Sequence, residues 1–183
     1  MIKLSRTPLE GVVVIEPKVF SDERGSFSEV FSARDFSAVG LPEQFVQDNH
    51  SQSSKGVLRG LHYQYPQWQG KLVRVVFGKV FDVAVDIRYL SPTFGKWFGL
   101  ELSSENHKQL YVPPGFAHGF CTLSARAELT YKCTTFFEPS DDAAILWNDS
   151  DIGIDWPVSN PLLSPKDSSA PPLSELPELT VVK

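Results

Sequence analysis

Long apolar runs are missing from this sequence. Val12-Val13-Val14-Ile15 is typical of the runs present. A membrane-crossing helix needs about 20 apolar residues in succession, so no span is expected. The opening residues, Met1-Ile2-Lys3-Leu4-Ser5-Arg6, have no apolar core followed by a small-residue cleavage site, which predicts no secretory leader. Cysteine is scarce. Cys121 and Cys133 are the two present, and they form no CxxC pair. That suits a reducing cytoplasm and excludes a cysteine-based zinc site. Histidine is confined to His50, His62, His107 and His118, with no HxH. There is no basic excess: 17 Lys and Arg face 22 Asp and Glu, for a net charge of −5. A nucleic-acid or anionic-membrane surface selects for clustered Lys and Arg, so neither partner is expected. A local basic pocket for one phosphorylated small molecule remains compatible with that balance. Sustained helical periodicity is also lacking, which excludes long amphipathic helices.

What is present is punctuation. Fourteen prolines and twelve glycines divide short apolar stretches. A chain of 183 residues predicts one domain, residues 1–183, large enough to fold without a disulfide or metal staple. At 42% hydrophobic and 21% charged residues it has the composition of a globular protein. Strands are expected over Gly11–Glu16, Gly25–Phe31, Phe45–His50, Lys71–Val76, Lys79–Ile87, Lys96–Leu102, Gln109–Val112, Gly119–Leu123, Ala127–Phe137 and Ala144–Trp147. Lys71–Val76 and Lys79–Ile87 read as the best strand pair, with a turn at Phe77-Gly78-Lys79. Ala33–Val39 is a short helix candidate, stopped by Gly40 and Pro42. The Pro/Ser/Leu-rich end, residues 162–183, is expected to pack as an extended or helical tail. Many short strands between turns predict an all-β sandwich or barrel.

Four clusters could carry chemistry. In Val57-Leu58-Arg59-Gly60-Leu61-His62, Arg59 and His62 would fall on opposite faces of a regular strand. A bulge at Gly60 would turn both inward. His62 suits proton abstraction near neutral pH; the alternative is a core histidine beside a surface arginine. In Pro113-Pro114-Gly115-Phe116-Ala117-His118 the PxGxxH spacing resembles the second motif of the cupin superfamily of small β-barrels. The HxH of the cupin first motif is absent. His62, His118 and a carboxylate would suffice for a catalytic metal, but no metal is expected. Tyr131-Lys132-Cys133 puts Tyr131 and Cys133 on one strand face, with Tyr131 either a proton donor or half-buried packing. Leu163-Ser164-Pro165-Lys166-Asp167 reads as a loop. Its Asp167 is solvated unless the fold returns it to the barrel mouth, where it would orient a histidine. Arg24, Arg59 and Lys71 could bind a phosphorylated ligand. Phe136 and Phe137 could form an aromatic platform for a base.

Eight stretches taken together resemble the dTDP-4-dehydrorhamnose 3,5-epimerase family of cupin-like sugar epimerases. They are Glu16–Gly25, Phe45–Ser51, Val57–His62, Gly70–Val75, Val80–Arg88, Pro114–Phe120, Leu146–Asp149 and Leu163–Asp167. They run in family order over nearly the whole chain. The resemblance implies a jelly roll, a homodimer and no cofactor. Its implied reaction converts dTDP-4-dehydro-6-deoxy-glucose to dTDP-4-dehydro-rhamnose in dTDP-L-rhamnose biosynthesis. It assigns the base to His62 paired with Asp167, and the proton donor to Tyr131. Lys71 is the candidate to stabilise the enolate. Arg24, Glu29, Gln47, Asp48, Asn49, Arg59, Lys71 and His118 fall where the family binds the nucleotide sugar, as do Asp142 and Lys166. Asp142 stands where the family often has glutamate. Phe136 and Phe137 stand where it commonly has tyrosines, one of which stacks on thymine. Three rival readings are a single-centre epimerase, a metal-dependent cupin enzyme and a non-catalytic sugar-binding cupin.

Overall fold

The computed structural model describes residues 2–181; residue 1 and the last two residues of the expected tail, 182–183, lie outside the described residues. In chain order the strands are β1 (Lys3–Arg6), β2 (Val13–Glu16), β3 (Val19–Asp22), β4 (Gly25–Ser28), β5 (Gln47–Ser54), β6 (Leu58–Gln64), β7 (Lys71–Phe77), β8 (Lys79–Asp86), β9 (Trp97–Ser103), β10 (Gln109–Val112), β11 (Phe116–Thr122), β12 (Arg126–Cys133) and β13 (Asp142–Ala144). Two short helices, α1 (Ala33–Ser37) and α2 (Pro165–Ser168), and a 3-10 turn at Leu173–Glu175 complete the chain. One sheet runs β1-β2-β10-β7-β12-β5 and the other β13-β6-β11-β8-β9, while β3 and β4 form a separate hairpin. This is the expected all-β jelly roll. No helix among the described residues is long and apolar enough to cross a membrane.

The sheets bury their facing sides against each other. Val73, Val75, Ala127 and Leu129 from the first meet Val80, Ala84, Leu102, Phe116 and Phe120 from the second. The outer side of the first sheet, with Ile15, Leu72 and Tyr111, is covered by Phe36 of α1 and by Leu41. The outer side of the second, with Leu61, Val83, Val85 and Ala117, is covered by the chain after β13 through Ile145, Ile152, Leu173 and Leu179.

One expected pairing is corrected. β7 and β8 do not form a hairpin; β7 pairs with β10 and β12, whereas β8 pairs with β9 and β11. A tight hairpin needs two central residues, and Gly78 alone separates these strands. At φ +72° it crosses the chain from one sheet to the other, so close to β12 that a Cβ would lie 2.2 Å from the Arg126 carbonyl oxygen. Other boundaries shift. β12 ends at Cys133, which leaves Phe136 and Phe137 in a loop, and β13 precedes the expected Ala144–Trp147.

The C-terminal segment is tied to the barrel by its backbone. Leu162 bridges Val57 and bonds to Leu58 and Gly56 at 3.0 and 2.9 Å. The buried Asp149 carboxylate accepts from the N–H groups of Asp151, Ile152 and Leu173. α2 is a helical turn where the sequence read as a loop. Ser164 caps it by accepting from the Asp167 N–H, and Pro165 opens it, the arrangement a Ser-Pro-x-Asp run favours.

Gly60 provides the bulge. His118 sits opposite His62 while Phe120 sits opposite Arg59, so β6 carries one extra residue between the two pairs. Gly60 has φ +125°, and a Cβ there would lie 2.5 Å from the Gly119 Cα and 2.9 Å from the His118 carbonyl oxygen. Gly60→Ala is therefore expected to destabilise the fold by at least about 2 kcal/mol in urea denaturation, since both overpacking and left-handed backbone are imposed. Loss of less than half that would show that the two strands can part freely.

Candidate active site

Strand alternation sorts the side chains. On β6 the bulge leaves Leu61 and Tyr63 on the outer side and turns Arg59, His62 and Gln64 inward. Arg59 Nε donates to Ser53 Oγ of β5 at 3.0 Å. On β12, Leu129 and Tyr131 face the core, and Cys133 shares their face. β12 registers Tyr131 against Asn49 and Val73, and Cys133 against Gln47 and Lys71. Gln47, Cys133 and Lys71 thus form one inward row, with Asn49 and Tyr131 in the next. The two rows are hydrogen bonded to each other: Gln47 Nε2 donates to Asn49 Oδ1 at 3.1 Å and Asn49 Nδ2 to Cys133 Sγ at 3.4 Å.

The second sheet answers with two histidine–carboxylate pairs. His62 Nε2 lies 2.5 Å from Asp167 Oδ1, with the histidine one-third exposed and the aspartate buried. An ionised carboxylate can only accept, so Nε2 is the donor in this pair and Nδ1 is the nitrogen directed away from it. Burial alone would raise the Asp167 pKa. Hydrogen bonds from His62, Ser164 and the Gly60 N–H outweigh it and hold the carboxyl below its ordinary 3.8. The second pair is fully buried: His118 Nε2 lies 2.9 and 3.1 Å from the two oxygens of Asp82. Asp82 was not singled out in the sequence. Its signal was a lone acid at an inward position of the otherwise apolar Val80–Val85 run.

Burial pushes the Lys71 ammonium down from its ordinary value, while Cys133, Asp142 and Asp82 pull it back up. Its Nζ lies 6.0 Å from the Tyr131 ring centre. Burial pushes the Tyr131 hydroxyl up, with Cys133 adding to the shift and Arg59 opposing it. Tyr131 therefore keeps its proton at neutral pH. Burial also raises the Cys133 thiol to about 11, so it is no thiolate nucleophile. Lys166 Nζ and Asp142 Oδ2 pair at 2.5 Å. Among the described residues no three His, Cys, Asp or Glu side chains converge as metal ligands would.

Some expected site residues stand apart. The Asp48 side chain points to the opposite face of β5 and pairs with Lys132 at 2.8 Å, as alternation between Gln47 and Asn49 requires. Arg24 is on the exposed β3–β4 hairpin, paired with Asp22, and Glu29 follows that hairpin, also exposed. Neither joins the interior of its own chain. Phe136 and Phe137 are exposed in the loop after β12, 64% and 49%. Gln64, buried beside that loop, was missed; a glutamine two residues after His62 carried no distinctive signal.

Comparison with known proteins gives concordant matches. A family model described as dTDP-4-dehydrorhamnose 3,5-epimerase matches residues 6–175. The dTDP-4-dehydrorhamnose 3,5-epimerase of Shigella flexneri is 60% identical over 164 residues, 88% of this chain and 91% of that one. The crystal structure of dTDP-6-deoxy-D-glucose-3,5-epimerase from Legionella pneumophila Philadelphia 1, in complex with dTDP-4-keto-L-rhamnose, superposes with a TM-score of 0.96 at 48% identity, covering 100% of both chains. A dTDP-4-dehydrorhamnose 3-epimerase of Streptomyces niveus is 39% identical over 176 residues, 95% of this chain and 85% of that one.

Because the folded-state pKa of Asp167 lies below the unfolded value, its contribution to stability is fully present above the ordinary range. It is lost as pH falls through the folded-state value. Asp167→Asn should therefore be less stable than the parent in urea at pH 7, with the gap closing as pH falls below the ordinary 3.8. A gap independent of pH would refute the ionised His62–Asp167 pair.

Proposed function

The chain belongs to the dTDP-4-dehydrorhamnose 3,5-epimerase family, and from that premise we propose how its residues divide the chemistry. The enzyme is an isomerase that inverts C3 and C5 of dTDP-4-dehydro-6-deoxy-glucose to give dTDP-4-dehydro-rhamnose. The C4 ketone of the substrate acidifies the hydrogens on both neighbouring carbons. His62 Nδ1 takes one as a proton, the C–H electron pair becomes the new C–C double bond, and the carbonyl π pair moves onto the ketone oxygen. Asp167 stabilises the imidazolium that results. Such a positioned base contributes typically about 10²–10⁴-fold. Lys71, half-buried on the inward side of β7, faces the developing oxyanion, where a preorganised cation is worth on the order of several kcal/mol. Tyr131 then gives its proton to the carbon as the carbonyl re-forms. The resulting tyrosinate is reset by a proton from solvent, as His62 returns its own.

The observation that carries this reading is the placement of His62 and Tyr131 on facing sheets. A sugar ring held between them meets a base on one side and an acid on the other, which inversion requires. The nucleoside diphosphate supplies remote binding energy to hold the ring there. Arg59, solvent-exposed beside Ser53, is a diphosphate ligand, the Asp142–Lys166 pair lies close enough to act on Lys71, and the exposed rings of Phe136 and Phe137 offer a stacking surface for the base.

We further propose a homodimer. The β3–β4 hairpin exposes Phe20 by 53% and Phe27 by 70%, apolar surface that a second copy would cover. Arg24 on that hairpin would then serve the second copy's site, since it does not reach its own. A cytoplasmic location is supported by two buried cysteines that are unpaired.

Incubation with dTDP-4-dehydro-6-deoxy-glucose in deuterated water should label both C3 and C5. His62→Ala should lose exchange at both by about 10²-fold or more, and Tyr131→Phe should lose inversion more than first proton removal. Near-normal exchange in His62→Ala would overturn the base assignment. Label at one carbon only in the parent would place the chain with the single-centre epimerases, to which it is 39% identical through the Streptomyces niveus enzyme.

A further inference from the structure

The loop that follows β12 combines two features that rarely coincide. Its aromatic side chains are exposed, yet its backbone is held residue by residue. The Thr134 N–H bonds to the Gly70 carbonyl at 3.0 Å, and Thr134 Oγ1 accepts from the Gly70 N–H at 2.8 Å. The Thr135 carbonyl accepts from Gln69 Nε2 at 2.9 Å. The Phe137 N–H donates to Gln47 Oε1 at 2.8 Å. The remaining contacts converge on Gln64. Its Nε2 donates to the carbonyls of Phe136 at 3.1 Å and Gln67 at 2.7 Å, and its Oε1 accepts from the Glu138 N–H at 2.9 Å.

Gln64 is 4% exposed and uses both amide hydrogens and its carbonyl. Two of its three bonds go to the residues on either side of Phe137, and its own strand also carries His62, two positions away on the same face. A loop held only by solvent would let the two rings fold back onto the apolar surface nearby. The Gln64 and Gln47 amides instead fix the backbone on both sides of the rings. The loop-ordering entropy lost in forming a stack is then reduced before any ligand arrives.

We propose that Gln64 is the positioning residue for the nucleobase platform: it presents Phe136 and Phe137 to the base at a fixed distance from His62 and does not itself touch the substrate. This rests on the nucleotide-sugar reading above and adds the group that sets the platform's geometry. It acts on binding of the base rather than on proton transfer, so its loss should appear in KM and spare kcat.

The test uses the full chain and two ligands, thymidine diphosphate and inorganic pyrophosphate, titrated calorimetrically. Gln64→Met keeps the length of the side chain and removes all three hydrogen bonds without adding charge. Base–aromatic stacking of about 1–3 kcal/mol sets the scale, so affinity for thymidine diphosphate should fall about tenfold, with pyrophosphate affinity unchanged within about twofold. KM for the sugar nucleotide should rise in parallel, with kcat retained. In a Phe136→Ala/Phe137→Ala background Gln64→Met should add no further loss. If Gln64→Met does not fold, Gln64→Glu keeps the acceptor for Glu138, loses both donors, and shifts the two ligands alike through its charge, so their ratio still reports the platform. Equal loss for both ligands, a fall in kcat at unchanged KM, or a full additional loss in the double-alanine background would overturn the role. A parent that binds thymidine diphosphate no more tightly than pyrophosphate would overturn the nucleotide reading itself. A preference kept intact in Gln64→Met would overturn only the assignment of Gln64.

Discussion

The hydrogen bond between His62 and Asp167 joins points 105 residues apart in the chain, and much of the architecture exists to let it form. The histidine is fixed early, on a strand whose extra residue at Gly60 turns it inward. The aspartate arrives only after the chain has completed both sheets and passed across the outer side of the second. Three tethers bring it back: the Leu162 bridge, the Asp149 carboxylate on the Leu173 N–H, and the Ser164 cap on α2. Gly60 serves the pair twice. It makes the bulge, and its N–H helps hold the Asp167 carboxyl below its ordinary pKa. A carboxylate this buried is costly unless its oxygens are satisfied, so the dyad and its surroundings stabilise each other.

Four buried aspartates show how the same residue type is put to two uses. Asp86 is answered by Arg88, Ser91 and Thr93. Asp149 is answered by three backbone N–H groups. Both are closed networks whose partners cannot exchange a proton at neutral pH, and both hold loops. Asp82 and Asp167 are answered by histidines, which leave a second ring nitrogen directed elsewhere. The facing sheet supplies Lys71 and Tyr131, one with a pKa lowered by burial and the other with a pKa raised. Desolvation favours the neutral form of both, so Tyr131 keeps its proton and the Lys71 charge depends on the anionic groups around it.

Much of this was legible in sequence because strand periodicity is local. The alternation that separates Tyr131 and Cys133 from Lys132, and the need for a bulge between Arg59 and His62, follow from a period of two and one glycine. The β7–β8 junction was misread because a glycine between two apolar runs signals a turn without saying which sheet the second run joins. That is decided by the core, where Val73 and Val80 face each other rather than sit side by side. Asp82 and Gln64 were missed for a related reason. Each is an ordinary polar residue whose role is set by groups from distant segments, and no spacing encodes them. The Ser-Pro-x-Asp cap of α2 could have been read from local chemistry alone.

The same periodicity makes fold and function inseparable here. Along β5 and β12 the inward set is Gln47, Asn49, Tyr131 and Cys133, and the outward set includes Asp48, His50, Thr130 and Lys132. A one-residue slip would exchange the sets, replacing the candidate acid with Thr130 or Lys132, burying charge against Val73 and turning Leu129 outward. The apolar side of the barrel therefore enforces the register that the polar side uses. Val75 and Leu129 are paired across the same two strands that pair Lys71 with Cys133. The crossing at Gly78 fixes where β7 must end, because the backbone of β12 leaves no room there for a Cβ. Positional accuracy of the Tyr131 and Lys71 side chains is thus a consequence of core packing one and two pairs away. The loop after β12 is anchored separately, through the Gln64 and Gln47 amides, so that adapting the proposed platform to another base would not require changing the register that places the proposed acid and base.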